Sequence, residues 1–179
     1  MLEDMELLQF PDERLRKVSK PVERFDKDLI ALSEEMLNIM YQSNGIGLAA
    51  PQVNKPIRMI VLDVSEARNE PMIFVNPRLD KVKGRIDSSE GCLSVPEIRT
   101  TVQRHKQIEL SAQDINGSGL KMEAEDLLAI CVQHEIDHLD GKLFIDYVPN
   151  IKLQRLRKKI AKQKKLNTEN PKGTRVNIV

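Results

Sequence analysis

The run Asp126-Leu127-Leu128-Ala129-Ile130-Cys131-Val132-Gln133-His134-Glu135-Ile136-Asp137-His138-Leu139 sets the architecture. Its apolar residues lie on more than one side of a 3.6-residue period, the pattern of a helix buried at the centre of a domain. Asp126 stands where an N-cap belongs, and Gly141 where such a helix stops. His134 and His138 are four positions apart and share one face, one turn above the other. Both imidazoles can then reach one divalent ion, with Glu135 between them as a general base. Two surface histidines sharing a face by chance would look the same, so the motif needs partners elsewhere in the chain.

Working outward, Lys106–Asp114 alternates as Ile108, Leu110 and Ala112, turns at Asn116-Gly117, and returns through Leu120, Met122 and Ala124 as a hairpin. Ile57–Leu62 and Met72–Val75 read as strands, the second closed by Pro77. From Asp26 to about Tyr41, Leu29, Ile30, Leu32, Met36, Leu37 and Met40 recur at helical spacing, and Asn44-Gly45 stops that helix. Pro11 with Leu15 and Val18 predicts a short opening helix ended by Pro21, and a final helix spans about Asn150 to Lys165. Strands in runs with helices at separate places predict an α+β fold: antiparallel or mixed sheets around the central helix, with a C-terminal helix.

The 179 residues fit one domain, 40% hydrophobic and 31% charged, with no apolar run near the ~20 residues a membrane span needs. Met1-Leu2-Glu3-Asp4-Met5-Glu6 is acidic where a signal or transit peptide would be basic, which predicts a cytoplasmic protein with no membrane partner. Between residues 150 and 179 stand ten basic residues against one acid, which leaves the body with 18 basic and 26 acidic residues. The reading is a catalytic body, 1–148, followed by a basic helix and tail, 149–179, suited to a polyanion.

A catalytic metal site needs a third protein ligand and an open position. After His138 there is no histidine, and the remaining acids are Asp140, Asp146 and Glu169. Upstream lies Glu90-Gly91-Cys92-Leu93-Ser94-Val95-Pro96, where a thiolate could serve as third ligand. A lone cysteine is more often a small buried hydrophobe, the reading given to Cys131 on the apolar helix. A further segment, Gly45-Ile46-Gly47-Leu48-Ala49-Ala50-Pro51-Gln52, imitates a dinucleotide fingerprint. It follows a helix instead of a strand, and Pro51 obstructs the helix that should come next. Its glycines suit close approach of a substrate to the backbone, and Gln52 offers an amide donor.

The segments Gly45–Gln52, Glu90–Ser94 and Gln133–His138 stand in the order found in peptide deformylases, and the chain resembles that family from Pro11–Arg16 to about Val148. The resemblance implies a metal-dependent amide hydrolase. It would remove the formyl group from the N-terminal methionine of nascent proteins, a step of protein biosynthesis. Cys92, His134 and His138 would bind the metal, and Glu135 would act as base and then acid. Gln52 and the Leu93 N–H would hold the oxyanion. Gly47 would meet the substrate backbone, Arg99 the peptide beyond the methionine, and Ile46, Glu90, Leu127, Ile130 and Cys131 would form the methionine pocket. A second tie, Glu90 to Arg104, would support the site. Ser88 stands where the family suggests a larger apolar residue. One thiolate and two imidazoles suit zinc, iron, nickel or cobalt; the resemblance implies iron(II), with zinc, nickel or cobalt in preparations.

Two alternatives remain at this point. An HExxH-type endopeptidase would not need Cys92. A nucleic-acid-binding protein built on the basic tail would lose binding steeply with salt and would not need Glu135 or Gln52. The tail could also serve the enzyme, docking on ribosomal RNA, or could be a solvated helix whose Leu153, Leu156 and Ile160 stripe packs on the body.

Overall fold

Asp26 accepts a hydrogen bond from the Leu29 N–H at 3.2 Å and caps α1, Lys27–Gln42, close to the bounds its periodicity predicts. A computed structural model describes residues 5–149 together with 151, 153, 154, 158, 161 and 162. After α1, the strands β1 (Gly47–Ala49), β2 (Met59–Leu62), β3 (Met72–Lys83), β6 (Gln107–Gln113) and β7 (Gly119–Glu125) form one antiparallel sheet in the order β1-β2-β3-β6-β7. β4 (Ile86–Cys92) and β5 (Val95–Arg104) pair only with each other. α2, Asp126–Leu139, follows β7.

Period-two alternation along β2 explains how the helices sit. Ile60 and Leu62 join the core formed with Ala129, Val132, Ile136 and Leu139 of α2. Met59 and Val61 point the other way, into the core built on Leu32, Met36 and Met40 of α1. β2 is therefore buried at all four positions, sandwiched between the helices. A third cluster unites Cys92, Val95, Ile98 and Val102 of the β4–β5 hairpin with Leu143, Phe144 and Ile145. The fold is α+β with α2 at its centre, as the sequence predicts.

Three local readings change, and one hairpin has no counterpart in the sequence reading. The opening segment is a 3-10 turn, Glu13–Arg16, capped by Asp12, and not an α-helix. Pro77 does not close β3. Instead the register shifts between Val75 and Arg78, with Asn76 at φ 52° and its side chain bonded to Val22 and Gln113, so the strand bulges and continues to Lys83. Asp126 is the first residue of α2, at φ 48°, while Glu125 holds the cap position and no side chain caps the helix. Finally, β4 and β5 are strands where the sequence shows no clean alternation. Val95, Ile98, Thr100, Val102 and Arg104 are the buried positions of β5, and the polar Thr100 and Arg104 break the apolar pattern. Beyond Pro149, the described residues Ile151, Leu153, Gln154, Lys158, Ala161 and Lys162 are helical, and Leu153 packs on the third cluster. Leu156, Ile160 and the tail after residue 162 lie outside the described residues.

Candidate active site

The last two turns of α2 carry His134, Glu135 and His138, all buried. The end of β4 brings Cys92 up to them: its Sγ lies 3.2 Å from His138 Nε2. One donor atom from each of Cys92, His134 and His138 falls within 4.8 Å of the others. The rings of His134 and His138 meet edge to face, centroids 5.0 Å apart, and His134 also stacks on Phe144 at 6.0 Å.

His134 Nδ1–H donates to Glu90 Oε2 at 2.9 Å, which fixes the tautomer and leaves Nε2 free to ligate. Glu90 receives Arg104 Nε and Nη2 at 2.7 and 2.9 Å, and Arg104 Nη1 reaches Asp137 Oδ2 at 2.5 Å. Burial would raise the Glu90 pKa, but the hydrogen bonds from Arg104 and His134 outweigh it and hold the carboxyl below its ordinary value. Burial pushes the Glu135 carboxyl up to about 7. Its Oε2 and His138 Nδ1 are buried without a hydrogen-bond partner among the described residues. Such atoms are costly unless a bound group completes them. With a soft sulfur and two imidazoles converging, the residues fit a late divalent cation.

Gln52, in the 3-10 turn Ala50–Val53 after β1, is aimed by two contacts. Its Oε1 accepts the Ala49 N–H at 2.8 Å, and its Nε2 donates to Ser94 Oγ at 3.0 Å and lies 3.6 Å from Cys92 Sγ. A cavity of ≈ 240 Å³ opens here. It is lined by Ile46, Gly47, Gln52, Glu90, Arg99, Leu127, Ile130, Cys131 and Glu135, and also by Ser88, Cys92, Leu93 and His134. The residues singled out in the sequence therefore line this one cavity, except His138, whose Nε2 touches Cys92 Sγ, and Arg104, which is bonded to Glu90. Cys131 proves to be both a buried thiol, its pKa raised by burial, and part of the wall. Gly47 is there because nothing larger fits: a Cβ would lie 2.4 Å from Glu135 Oε1.

The family model for polypeptide deformylases matches residues 4–154. The chain belongs to that family. A peptide deformylase of Hahella chejuensis is 49% identical over 163 residues, covering 90% of this chain and 97% of that relative. One of Teredinibacter turnerae is 51% identical over 160 residues, 89% and 95%. The crystal structure of a peptide deformylase from Legionella pneumophila superposes with a TM-score of 0.88 at 42% identity, covering 93% of this chain and 98% of that one. As a peptide deformylase the chain is a hydrolase that removes N-terminal formyl groups, and neither the endopeptidase nor the nucleic-acid-binding alternative finds support in these matches. No helix among the described residues is long and apolar enough to cross a membrane.

Of the supports of the deformylase site, sequence reasoning gave the Glu90–Arg104 tie and missed the rest. Asp137 is bonded by both Arg104 and Tyr147, Phe144 lies against His134, and Ser94 aims Gln52. The one available signal was Asp137 itself, an acid inside a buried motif, where charge needs a partner.

Proposed function

We propose that this deformylase acts on the formyl-methionyl end of nascent chains, with Cys92, His134 and His138 holding one divalent ion and Glu135 moving the proton. The observation that carries this is the convergence of the Cys92 sulfur with two imidazoles one helical turn apart. A bound divalent ion there supplies Lewis acidity, polarising a carbonyl and acidifying water. By donor set, zinc, nickel, cobalt and iron(II) all suit the site, and iron(II) is the ion proposed for the cell.

Glu135, with a pKa near neutrality and one oxygen unpartnered, takes the proton of the attacking water and returns it to the amine as the C–N bond breaks. Negative charge gathering on the formyl oxygen is met by Gln52 Nε2 and the Leu93 N–H; one such donor is worth ~2.7–4 kcal/mol. Formate and a free methionine amino group leave. Ile46, Leu127, Ile130, Cys131 and the stem of Glu90 enclose the methionine side chain, while Gly47 and Arg99 meet the peptide. Residues 1–148 form the catalytic unit in a cytoplasmic enzyme, and the basic segment 149–179 docks on ribosomal RNA.

Formate release from formyl-methionyl peptides by wild type and Glu135→Ala tests the reading. Activity in the first and its loss in the second, at equal metal content, is expected. Wild type prepared anaerobically with iron or nickel and still inactive would overturn it. For the tail, truncation after Val148 that leaves ribosome co-sedimentation unchanged would overturn the docking.

A further inference from the structure

Asp63 is fully buried at the end of β2 and has no part in the chemistry above. Its carboxylate accepts hydrogen bonds from Tyr41 Oη at 2.6 Å, Ser65 Oγ at 2.6 Å, the Ser65 N–H at 2.9 Å and the Glu70 N–H at 3.1 Å. These bonds fold the loop after β2 back onto the last turn of α1, with Arg68 at φ 53°. The Arg68 guanidinium then lies 5.3 Å over the Tyr41 ring and donates through Nη2 to the Gly45 carbonyl at 2.5 Å. One residue on, the Asp63 N–H donates to the Ile46 carbonyl at 2.9 Å.

Two successive carbonyls of the cavity wall are thus gripped by the same loop. In a trans peptide the C=O and the following N–H point in opposite directions, so pulling the Gly45 carbonyl toward Arg68 turns the Ile46 N–H away from the loop. On another side the segment rests on Leu93: a Cβ at Gly45 would lie 2.7 Å from Leu93 Cδ1. A planar guanidinium can cover the Tyr41 ring and donate in its own plane at once, which an ammonium does less well.

We propose that Arg68 is a positioning residue for the deformylase, holding the Gly45 carbonyl so that the Ile46 N–H is presented to the main chain of a bound peptide. This rests on the reading of the cavity as the peptide site. It acts on binding of the peptide, equally in ground and transition states.

Full-length, metal-loaded Arg68→Met removes the donor and keeps the stem. KM for a formylated methionyl tripeptide should rise about tenfold with kcat within about twofold of wild type. The calorimetric Kd of the unformylated product tripeptide should weaken in step. A merely structural defect lowers the active fraction, and so kcat, at constant KM. Arg68→Lys, which retains a donor, should recover part of the lost affinity. An unchanged KM in Arg68→Met, a fall in kcat alone, or a Lys variant as weak as the Met variant would each overturn the proposal. If the Met variant does not fold, Arg68→Ala is read the same way, and failure of both to fold also overturns it. Inactive wild type would sink the deformylase reading itself, whereas a flat KM beside active wild type sinks only the role of Arg68.

Discussion

Gly47→Ala asks whether Glu135, the carboxylate proposed to carry the proton, has any room to spare. The added methyl would sit 2.4 Å from Glu135 Oε1, 2.8 Å from Cys131 Sγ and 3.0 Å from Glu135 Cδ. Contacts of this kind relax near ~3.5 Å, so the Glu135 carboxylate must retreat by about 1 Å. It has little freedom to do so, being 4% exposed, and Gly47 is pinned on β1 opposite Leu62. Gly47 has no left-handed backbone to lose, so the effect is purely steric. Misplacing a reacting group by about 1 Å costs roughly 10²-fold in rate, or about 2.7 kcal/mol of transition-state stabilisation. Overpacking should also cost about 1–3 kcal/mol of stability. Metal content should be unchanged, because Cys92, His134 and His138 are not touched. Formate-release kinetics, metal analysis and thermal unfolding measure the three quantities. A folded, metal-replete Gly47→Ala enzyme within about threefold of wild-type kcat/KM would refute the claim that this glycine makes space for the base.

Arg104→Met leaves the buried Glu90 carboxylate with only the His134 N–H as partner and should cost about 3–5 kcal/mol in urea unfolding, with Arg104→Met/Glu90→Gln recovering much of the loss. For Asp63, burial raises the pKa but hydrogen bonds from Ser65, Tyr41 and the Glu70 N–H outweigh it, so the folded value lies below the ordinary 3.8. Its stabilisation is therefore present at neutral pH and lost as pH falls through the folded value. Asp63→Asn should lower Tm at pH 7 and flatten its decline in acid, and an identical acid limb in both proteins would contradict this. Cys92→Ser replaces the soft donor with a hard one, and equilibrium dialysis should show weaker retention of zinc or nickel; undiminished retention would remove Cys92 from the ligand set.

The helices were legible because their periods are strong and local: α1 and α2 follow from apolar spacing within single segments. The β4–β5 hairpin was not, because Arg104 occupies a core position of β5 and is neutralised by Glu90 on the facing strand and Asp137 on α2. Continuation of β3 past Pro77 was hidden for a similar reason, since the bulge depends on Asn76 reaching Val22 and Gln113. At the site, residue types and order singled out residues that the fold does bring together: Cys92, His134 and His138 within 4.8 Å of one another, and Glu135 in the wall of the adjoining cavity. What no spacing revealed was the scaffolding in which Ser94 and Asp137 act across long sequence separations and Tyr147 braces Asp137.

Glu90 does two jobs with one side chain. Its stem borders the cavity, while its carboxylate steadies His134 through one oxygen and receives Arg104 through both. With the cavity proposed to take the methionine side chain, one substitution at Glu90 would alter the pocket wall and the support of His134 together. Leu127, half exposed on the proposed pocket's wall, can be replaced without touching that support, whereas each step at Glu90 would loosen the His134 imidazole. Epistasis of that kind narrows the mutational routes by which such a pocket can diversify.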